Sequence, residues 1–195
     1  MTIAFVLGNG VSRRLLDLDC VRSRGVIYGC NALYRDFEPD VLVSTDPPIS
    51  TEIQNSGYSK THTHYTRKPL PESGSQRIPQ RYFGFSSGPA AAGIATADRH
   101  RQIYLVGFDL GPARGGLFNN MYAGTDFYKK STAGPTYTGN WVRQLASIMK
   151  DNPRTTYTRV MGETTAKIAE FAPIENHISM DITDFLDRIN NGKDL

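Results

Sequence analysis

The chain begins with a short apolar segment that ends in a glycine turn. Residues Ile3–Leu7 are apolar, two of them β-branched, and Gly8-Asn9-Gly10 follows directly. A short apolar run that stops at glycine is typical of a fully buried strand in a parallel sheet. Glycine lets the main chain approach a ligand, and Ser12 can cap a helix whose free N–H groups attract phosphate. This opening predicts a nucleotide-binding α/β domain.

The turn is an incomplete nucleotide motif. It lacks the third glycine of the dinucleotide fingerprint and the lysine of a P-loop. A tight packing turn between a strand and a helix explains the same residues, so both interpretations stay open.

Composition fits one ordinary globular domain covering residues 1–195. The chain is 39% hydrophobic and 21% charged, and no apolar run is long enough to span a bilayer. The opening segment also lacks the basic region of a signal peptide. Cys20 and Cys30 are too few for a disulfide framework and lack metal-ligand spacing, which predicts reduced thiols. We therefore expect a cytoplasmic protein without a membrane span; a homo-oligomer stays open.

Basic residues cluster although the net charge is only +3. The clusters are, in chain order, Arg13, Arg14, Arg22 and Arg24; then Lys60, His62, His64, Arg67 and Lys68; and finally Lys129 and Lys130. Such clusters can meet phosphates, but charged runs are more often solvated surfaces. Specific binding of nucleic acid is not predicted.

Strand and helix patterns alternate along the rest of the chain. Predicted strands are Gly25–Gly29, Val41–Ser44, Arg81–Phe85, Gln102–Leu110 and Thr155–Met161; predicted helices are Ile49–Asn55, Ala90–Arg99, residues 139–150 and a terminal amphipathic helix with Ile182, Phe185, Leu186 and Ile189. This alternation predicts a single Rossmann-like α/β domain with a mostly parallel sheet and helices on both faces. Two polar segments without sustained periodicity, residues 56–80 and 111–137, are predicted to form a flap and a lid.

Polar and glycine residues follow several of the predicted strands. In parallel sheets, ligands bind beyond the carboxyl ends of strands where the strand order reverses. The candidate nucleotide-binding residues at those ends are Gly8, Asn9, Gly10, Ser12, Asn31, Ser86, Ser87, Gly88 and Gly107. Asparagine side chains can hold a ribose, and Ser86-Ser87-Gly88 precedes a helix that can grip an anion. Each of these residues could instead bond its own turn or cap a helix.

Acidic and phenolic residues supply the candidate chemistry. Asp46 and Asp109 end strands and could coordinate a cation, orient a hydroxyl or act as a base, or simply cap their turns. In the predicted lid, Asn119, Asn120 and the phenols of Tyr122, Tyr128 and Tyr137 could stabilise a leaving phosphate. His62 and His64 lack a third ligand nearby, so no metal site is predicted. The chain has no Gly-x-Ser-x-Gly elbow, which disfavours hydrolase chemistry.

Several of these motifs, in this order, resemble those of bacterial sialyltransferases of the Campylobacter type. Gly8-Asn9-Gly10-Val11-Ser12 is similar to that family's Gly-Asn-Gly-Pro-Ser opening, and Cys30-Asn31 is similar to its Cys-Asn element. Ser86-Ser87-Gly88 and the block Ile103–Asp109 are similar to its Ser-Gly, helix and Ile-Tyr-Leu-x-Gly-Ile-Asp region. The motifs cover about a quarter of the chain. Residues 28–46 also resemble small phage-borne proteins called glycosyltransferases, which implies a phage or marine microbial origin.

The resemblance implies a glycosyltransferase that takes a CMP-sugar as donor substrate, with an unidentified acceptor and no essential cofactor or metal. Asn9, Asn31, Ser87 and Gly88 would hold the cytidine and phosphate, and phenols after Asp109 would stabilise the leaving group. The reaction would be a direct displacement at the anomeric carbon.

The sequence departs from that family where its general-base histidine is expected. The matching region, residues 136–141, contains no histidine, and Leu110 replaces the first lid tyrosine. The candidate catalytic residues are therefore Asp109, Tyr137 and Tyr122. Two alternatives stay open: a non-catalytic Rossmann-like binding or virion-associated module, and a Mg²⁺-dependent diphosphate-transferring enzyme using Asp46 and Asp109.

Overall fold

The computed structural model describes residues 3–195 and contains an eight-stranded sheet in which all neighbouring strands are parallel. The strands are β1 (Ile3–Leu7), β2 (Val26–Cys30), β3 (Val41–Ser44), β4 (Thr63–Thr66), β5 (Gln76–Arg77), β6 (Gln102–Val106), β7 (Thr156–Met161) and β8 (His177–Asp181). Their order is β5-β4-β3-β2-β1-β6-β7-β8. The order therefore reverses between β1 and β6. In open parallel sheets, such a reversal is where ligands bind, beyond the carboxyl ends of the strands.

Helices cover both faces of the sheet. They are α1 (Leu18–Arg22), α2 (Pro47–Asn55), α3 (Ser87–Ala97), α4 (Gly139–Asp151) and α5 (Ile182–Asn190). Side chains of β1 alternate between two buried clusters: Ala4 and Val6 pack with α3 and α4, whereas Phe5 and Leu7 pack with α1 and α5. This confirms the predicted α/β class, a single Rossmann-like domain.

Small residues let α3 lie close to the sheet. The helix is buried from Pro89 to Ala95, and five of these seven residues are alanine or glycine. A Cβ placed on Gly93 would lie 2.6 Å from the ring of Tyr82. The close approach places the first turn of α3 beside the ends of β2 and β3.

The predicted strand Arg81–Phe85 is wrong. Residues Gln80–Tyr82 form a 3-10 turn instead. The aromatic residues that favoured a strand pack elsewhere, because Tyr82 lies against Gly93 of α3 and Phe85 forms an edge contact with Tyr82.

Two strands lie where an irregular flap was predicted. Within residues 56–80, β4 pairs with β3 and the two-residue β5 pairs with β4, so the prediction is wrong for these residues. Both strands are short, and pairing with an existing edge supplies the order that the local pattern lacks. Strand β8, also absent from the prediction, is largely exposed at the other edge of the sheet.

The segment 111–137 is irregular, as predicted, apart from a 3-10 turn at Arg114–Gly116. Its middle part is hydrogen-bonded to the residues that follow β1. The Met121 N–H donates to the Asn9 carbonyl at 2.8 Å, and Asn119 Oδ1 accepts from the Val11 N–H at 2.9 Å. Between residues 3 and 195, no helix has the length and apolar character needed to cross a membrane.

Candidate functional site

A cavity of about 340 Å³ lies beyond the carboxyl ends of β1, β2, β3 and β6, at the reversal of strand order. The strand ends, the first turn of α3, one face of α4 and the segment 111–137 form its wall. The predicted site residues that line it are Gly8, Asn9, Gly10, Asn31, Asp46, Ser86, Ser87, Gly88, Gly107 and Asp109. The topology therefore brings together residues from opposite ends of the segment Gly8 to Asp109.

Glycines at the ends of β1 and β6 allow the two chains to touch. A Cβ on Gly8 would lie 2.5 Å from the Gly107 carbonyl oxygen, and a Cβ on Gly10 would lie 2.5 Å from Asp109 Cγ. Gly107 has a φ of +73°, in the left-handed region that favours glycine. These glycines are therefore required by packing, whether or not a ligand also approaches them.

Asn31 presents a free amide to the cavity. Its φ is +52°, a conformation that asparagine tolerates better than most residues. The Oδ1 atom accepts a hydrogen bond from Ser87 Oγ at 2.8 Å. Its Nδ2 group has no hydrogen-bond partner within residues 3–195, so it can donate to a ligand.

The first turn of α3 opens into the same space. Ser87 Oγ accepts from the Thr45 N–H at 2.9 Å and contacts Thr45 Oγ1 at 2.9 Å. No side chain caps the helix, and the N–H groups of Ser87 and Gly88 have no partner in the described chain. Free donors at a helix N-terminus, together with the helix dipole, favour an anion there.

Asn9 is engaged by the protein itself. Its Nδ2 donates to the Cys30 carbonyl at 3.2 Å, and its Oδ1 accepts from Arg13 Nη2 at 3.4 Å. Arg13 is only 3% exposed and also donates to the Gly8 carbonyl at 2.7 Å. Asn9 thus ties β1 to β2. The expectation that Arg13 lies on a solvated surface is wrong.

Asp109 has a carboxylate that is fully occupied. It accepts hydrogen bonds from both the N–H and the hydroxyl of Ser12, and from Asn119 Nδ2, Thr164 Oγ1 and Thr165 Oγ1. The side chain is 3% exposed. A carboxylate held by five donors has no free lone pair directed at a substrate, so this geometry gives Asp109 a structural role rather than that of the predicted base.

Arg159 fixes the chain that follows β6. It is 1% exposed and donates to the carbonyls of Phe108, Ala166 and Asp109 at 2.9, 2.8 and 3.0 Å. Burial lowers its pKa to about 10, partly offset by the Asp109 carboxylate, so it remains charged at neutral pH. Sequence reasoning did not single out Arg159; the available signal was an arginine inside the predicted strand Thr155–Met161.

Asp46 lines the cavity with a free carboxylate. It is exposed at the end of β3 and is the residue before α2, but its side chain does not cap that helix. No hydrogen bond reaches it from the part of the chain that the structure describes. Among the acidic residues that line the cavity, Asp46 is therefore the one placed to accept a proton.

Aromatic side chains and one lysine complete the wall. Phe108, Phe118 and Trp141 line it, and Lys129 lies over the Phe118 ring at 5.8 Å. Tyr128 also lines it, and burial raises the pKa of this phenol above its usual value, so it remains protonated. Trp141, at the start of α4, lines the cavity and also packs against the core cluster that includes Val142 and Leu145.

Three predicted site residues lie outside the cavity wall. Ser12 is bonded to Asp109 through both its N–H and its hydroxyl. Tyr122 is buried and accepts from Arg13 Nη2 at 3.3 Å, and burial raises the pKa of this phenol. Tyr137 is 69% exposed and accepts from Arg143 Nη1 at 3.3 Å. The catalytic roles expected for these two tyrosines do not fit these positions.

Within the described chain, no group of three or more His, Cys, Asp or Glu residues is placed to hold a metal ion. His64, one of the histidines considered for a metal, is buried among serine hydroxyls. Compared with known proteins, the chain matches no family model, no curated protein and no solved structure. No relative therefore assigns a function to this cavity.

Proposed function

We propose that the protein is a glycosyltransferase that binds a nucleotide-sugar donor, with a cytidine-type nucleotide favoured. The observation that carries the proposal is the uncapped N-terminus of α3, whose Ser87 and Gly88 N–H groups open into the cavity beside the free amide of Asn31. These groups suit the phosphate and ribose of a nucleotide. The preference for cytidine comes from the resemblance of the strand-end motifs.

Positive charge beneath the cavity supports an anionic ligand. Arg13 donates to carbonyl, amide and phenol oxygens, and Arg159 donates to three main-chain carbonyls. Neither guanidinium forms an ion pair among residues 3–195, and the nearby Asp109 carboxylate offsets part of the Arg159 charge. Lys129 adds a third positive charge at the rim.

The reaction we propose is a direct displacement at the anomeric carbon of the donor sugar. An acceptor hydroxyl oxygen forms the new bond to that carbon while the bond to the nucleotide phosphate breaks, and the phosphate leaves with the electron pair. The acceptor proton passes to Asp46. Donors from the first turn of α3 and from Lys129 stabilise the charge that grows on the phosphate, which lowers the barrier more than it tightens ground-state binding.

Asp46 replaces the bases expected from the sequence. Asp109 is occupied by five donors, Tyr122 is buried outside the cavity wall, and Tyr137 is exposed outside it. Asp46 combines a free carboxylate with a place on the wall. A cytoplasmic location belongs to the same proposal, since both cysteines are free thiols.

A binding module without catalysis is the second candidate. Among residues 3–195, no histidine lines the cavity, and the middle of segment 111–137 is already hydrogen-bonded to the residues that follow β1. The diphosphate-transferring alternative is less well supported, because Asp109 would have to release its hydrogen-bond donors to hold Mg²⁺ beside Asp46.

A thermal-shift panel tests the proposal. CMP, CDP, UDP, GDP and NAD are each added with and without Mg²⁺, because a ligand that binds only the native state raises the apparent Tm. We expect a shift with CMP that does not depend on Mg²⁺, followed by release of CMP from a CMP-sugar. A shift without turnover supports the binding module, a shift that requires Mg²⁺ supports the diphosphate-transferring enzyme, and no shift with any nucleotide overturns the proposal.

A further inference from the structure

A second, open groove adjoins the candidate cavity. Its volume is about 790 Å³, and the exposed side of α2, including Pro47, Thr51 and Asn55, forms one wall. Phe127 lines both the groove and the cavity. Asp46, which lines the cavity, is followed directly by Pro47 of the groove, so the free carboxylate lies at the junction of the two spaces.

Phe127 has a backbone conformation that is unfavourable for phenylalanine. The Tyr128 N–H donates to the Thr125 carbonyl at 3.0 Å, which makes Phe127 the third residue of a β-turn. Its φ is +70°, where glycine is favoured and a bulky side chain is strained.

The strain at Phe127 is not offset by burial. The side chain is 57% exposed, so the folded protein gains little apolar contact from it. Residues held in sparsely populated backbone conformations cluster at active sites and ligand clamps. The ring is therefore placed for contact with a molecule in the groove.

The chemistry of the groove suits an uncharged, hydroxyl-rich molecule. Thr51 and Asn55 are exposed and offer a hydroxyl and an amide, while Phe127 offers an aromatic face for the C–H groups of a sugar ring. The Glu52 carboxylate accepts from Arg35 Nη2 at 2.7 Å and from the Tyr34 hydroxyl, so its charge is balanced. No lysine or arginine lines the groove within residues 3–195.

We infer that this groove is the acceptor subsite and that the acceptor is a neutral saccharide. Its ring packs on Phe127, its polar edges meet Thr51 and Asn55, and its reacting hydroxyl extends over Asp46 toward the donor cavity. The inference rests on the proposed function, because the term acceptor has meaning only if the cavity holds a sugar donor.

Saturation-transfer NMR tests the subsite directly. The probes are the methyl glycosides of glucose, galactose, mannose and N-acetylglucosamine, with glucose 6-phosphate as the charged comparison, each added to the full chain with saturating CMP. We expect at least one methyl glycoside to give a clear signal, glucose 6-phosphate to give a weaker one than methyl glucoside, and Phe127→Gly to reduce the glycoside signal at least fivefold.

Phe127→Gly is a favourable variant because glycine removes the backbone strain, so its Tm should equal or exceed that of the parent chain. Tyr137→Ala is the matched control, since it removes an exposed aromatic ring from the same segment but outside both spaces, and its glycoside signal should be unchanged. Absence of a signal with all four glycosides, an equal signal from Phe127→Gly, or a stronger signal from the phosphorylated sugar overturns the inference.

The CMP thermal shift separates this inference from the proposed function. A CMP shift without glycoside binding overturns the subsite and leaves the donor site in place. If a glycoside binds in a way that depends on Phe127 but CMP gives no thermal shift, the groove is a saccharide-binding site and not an acceptor subsite. That result would also overturn the glycosyltransferase proposal.

Discussion

The Ser87 hydroxyl donates to Asn31 Oδ1 at 2.8 Å and thereby joins the N-terminus of α3 to the end of β2. This bond fixes the orientation of the Asn31 amide, because Oδ1 is held on one side and Nδ2 is left directed at the cavity. The same hydroxyl accepts from the Thr45 N–H, so β3 is held to the pair as well. A rigid donor set of this kind suits the nucleotide binding that we propose.

Asn31→Asp should weaken nucleotide binding while preserving the fold. Aspartate keeps the acceptor for Ser87 and tolerates the positive φ, but it loses the Nδ2 donor and adds a negative charge next to the expected phosphate. Loss of a hydrogen bond to a charged group costs about 1.5–3 kcal/mol, roughly a tenfold to hundredfold increase in Kd. Calorimetric titration with CMP measures the Kd, and Asn190→Asp, at the exposed end of α5, is the control. An unchanged Kd would remove Asn31 from the site.

Gly10→Ala should destabilise the protein through overpacking. The new Cβ would lie 2.5 Å from Asp109 Cγ and 2.6 Å from the Gly107 carbonyl oxygen. Because neither neighbour can move without disturbing the strand ends, we expect a loss of about 1–3 kcal/mol in the free energy of unfolding. Urea unfolding measures the loss. Gly84→Ala is the matched control, since a Cβ there meets nothing within 4 Å; equal effects of the two substitutions would contradict the packing argument.

His64 should make the fold sensitive to mild acid. The ring is fully buried, with Ser44 Oγ at 2.7 Å from Nε2 and Ser59 Oγ at 2.9 Å from Nδ1. Burial lowers its pKa from 6.5 to about 4. The unfolded chain therefore binds a proton that the folded chain excludes, and stability falls as the pH drops from about 6.5 toward 4.

Between pH 7 and pH 5, this histidine should account for a loss of about 2 kcal/mol in the free energy of unfolding. Comparison of urea unfolding at the two pH values, for the parent chain and for His64→Gln, isolates the contribution. The variant should lose less stability over this interval than the parent chain does. Parallel losses in the two proteins would show that His64 titrates normally.

The sequence predicted the parts of the site that depend on local pattern and on topology. The Gly8-Asn9-Gly10 turn, the end of β2 and the first turn of α3 each carry a local signal, and the rule for parallel sheets places them at one edge. The complete strand order was not needed for this prediction. Any sheet in which the order reverses next to β1 brings the ends of β1 and β2 and the first turn of α3 together.

The sequence could not predict roles that depend on distant partners. Asp109 was expected to act as a base, but its donors come from Ser12, Asn119, Thr164 and Thr165, which no local pattern links. Arg13 belongs to a basic cluster of a kind that is usually solvated, yet its guanidinium is buried and donates to the Gly8 carbonyl in the turn that precedes it. The strand prediction at Arg81–Phe85 failed for the same reason, since packing against α3 decided its structure.

Asp46→Asn should slow transfer strongly without weakening nucleotide binding. The substitution keeps the shape of the side chain but removes its ability to accept a proton, and removal of a general base lowers kcat by about 10²–10⁴-fold. It also removes a negative charge from the cavity wall, so the Kd for CMP should stay the same or decrease. The release of CMP from CMP-sialic acid gives kcat, and calorimetry gives the Kd.

The matched control is Asp126→Asn, which neutralises an exposed aspartate in segment 111–137 that lines neither space. This control substitution should change neither kcat nor the Kd for CMP. If Asp46→Asn retains full turnover, the proton must pass to water or to another group, and the assignment of Asp46 fails. If CMP binding instead weakens together with turnover, Asp46 holds the nucleotide, and its part in the site is one of binding rather than proton transfer.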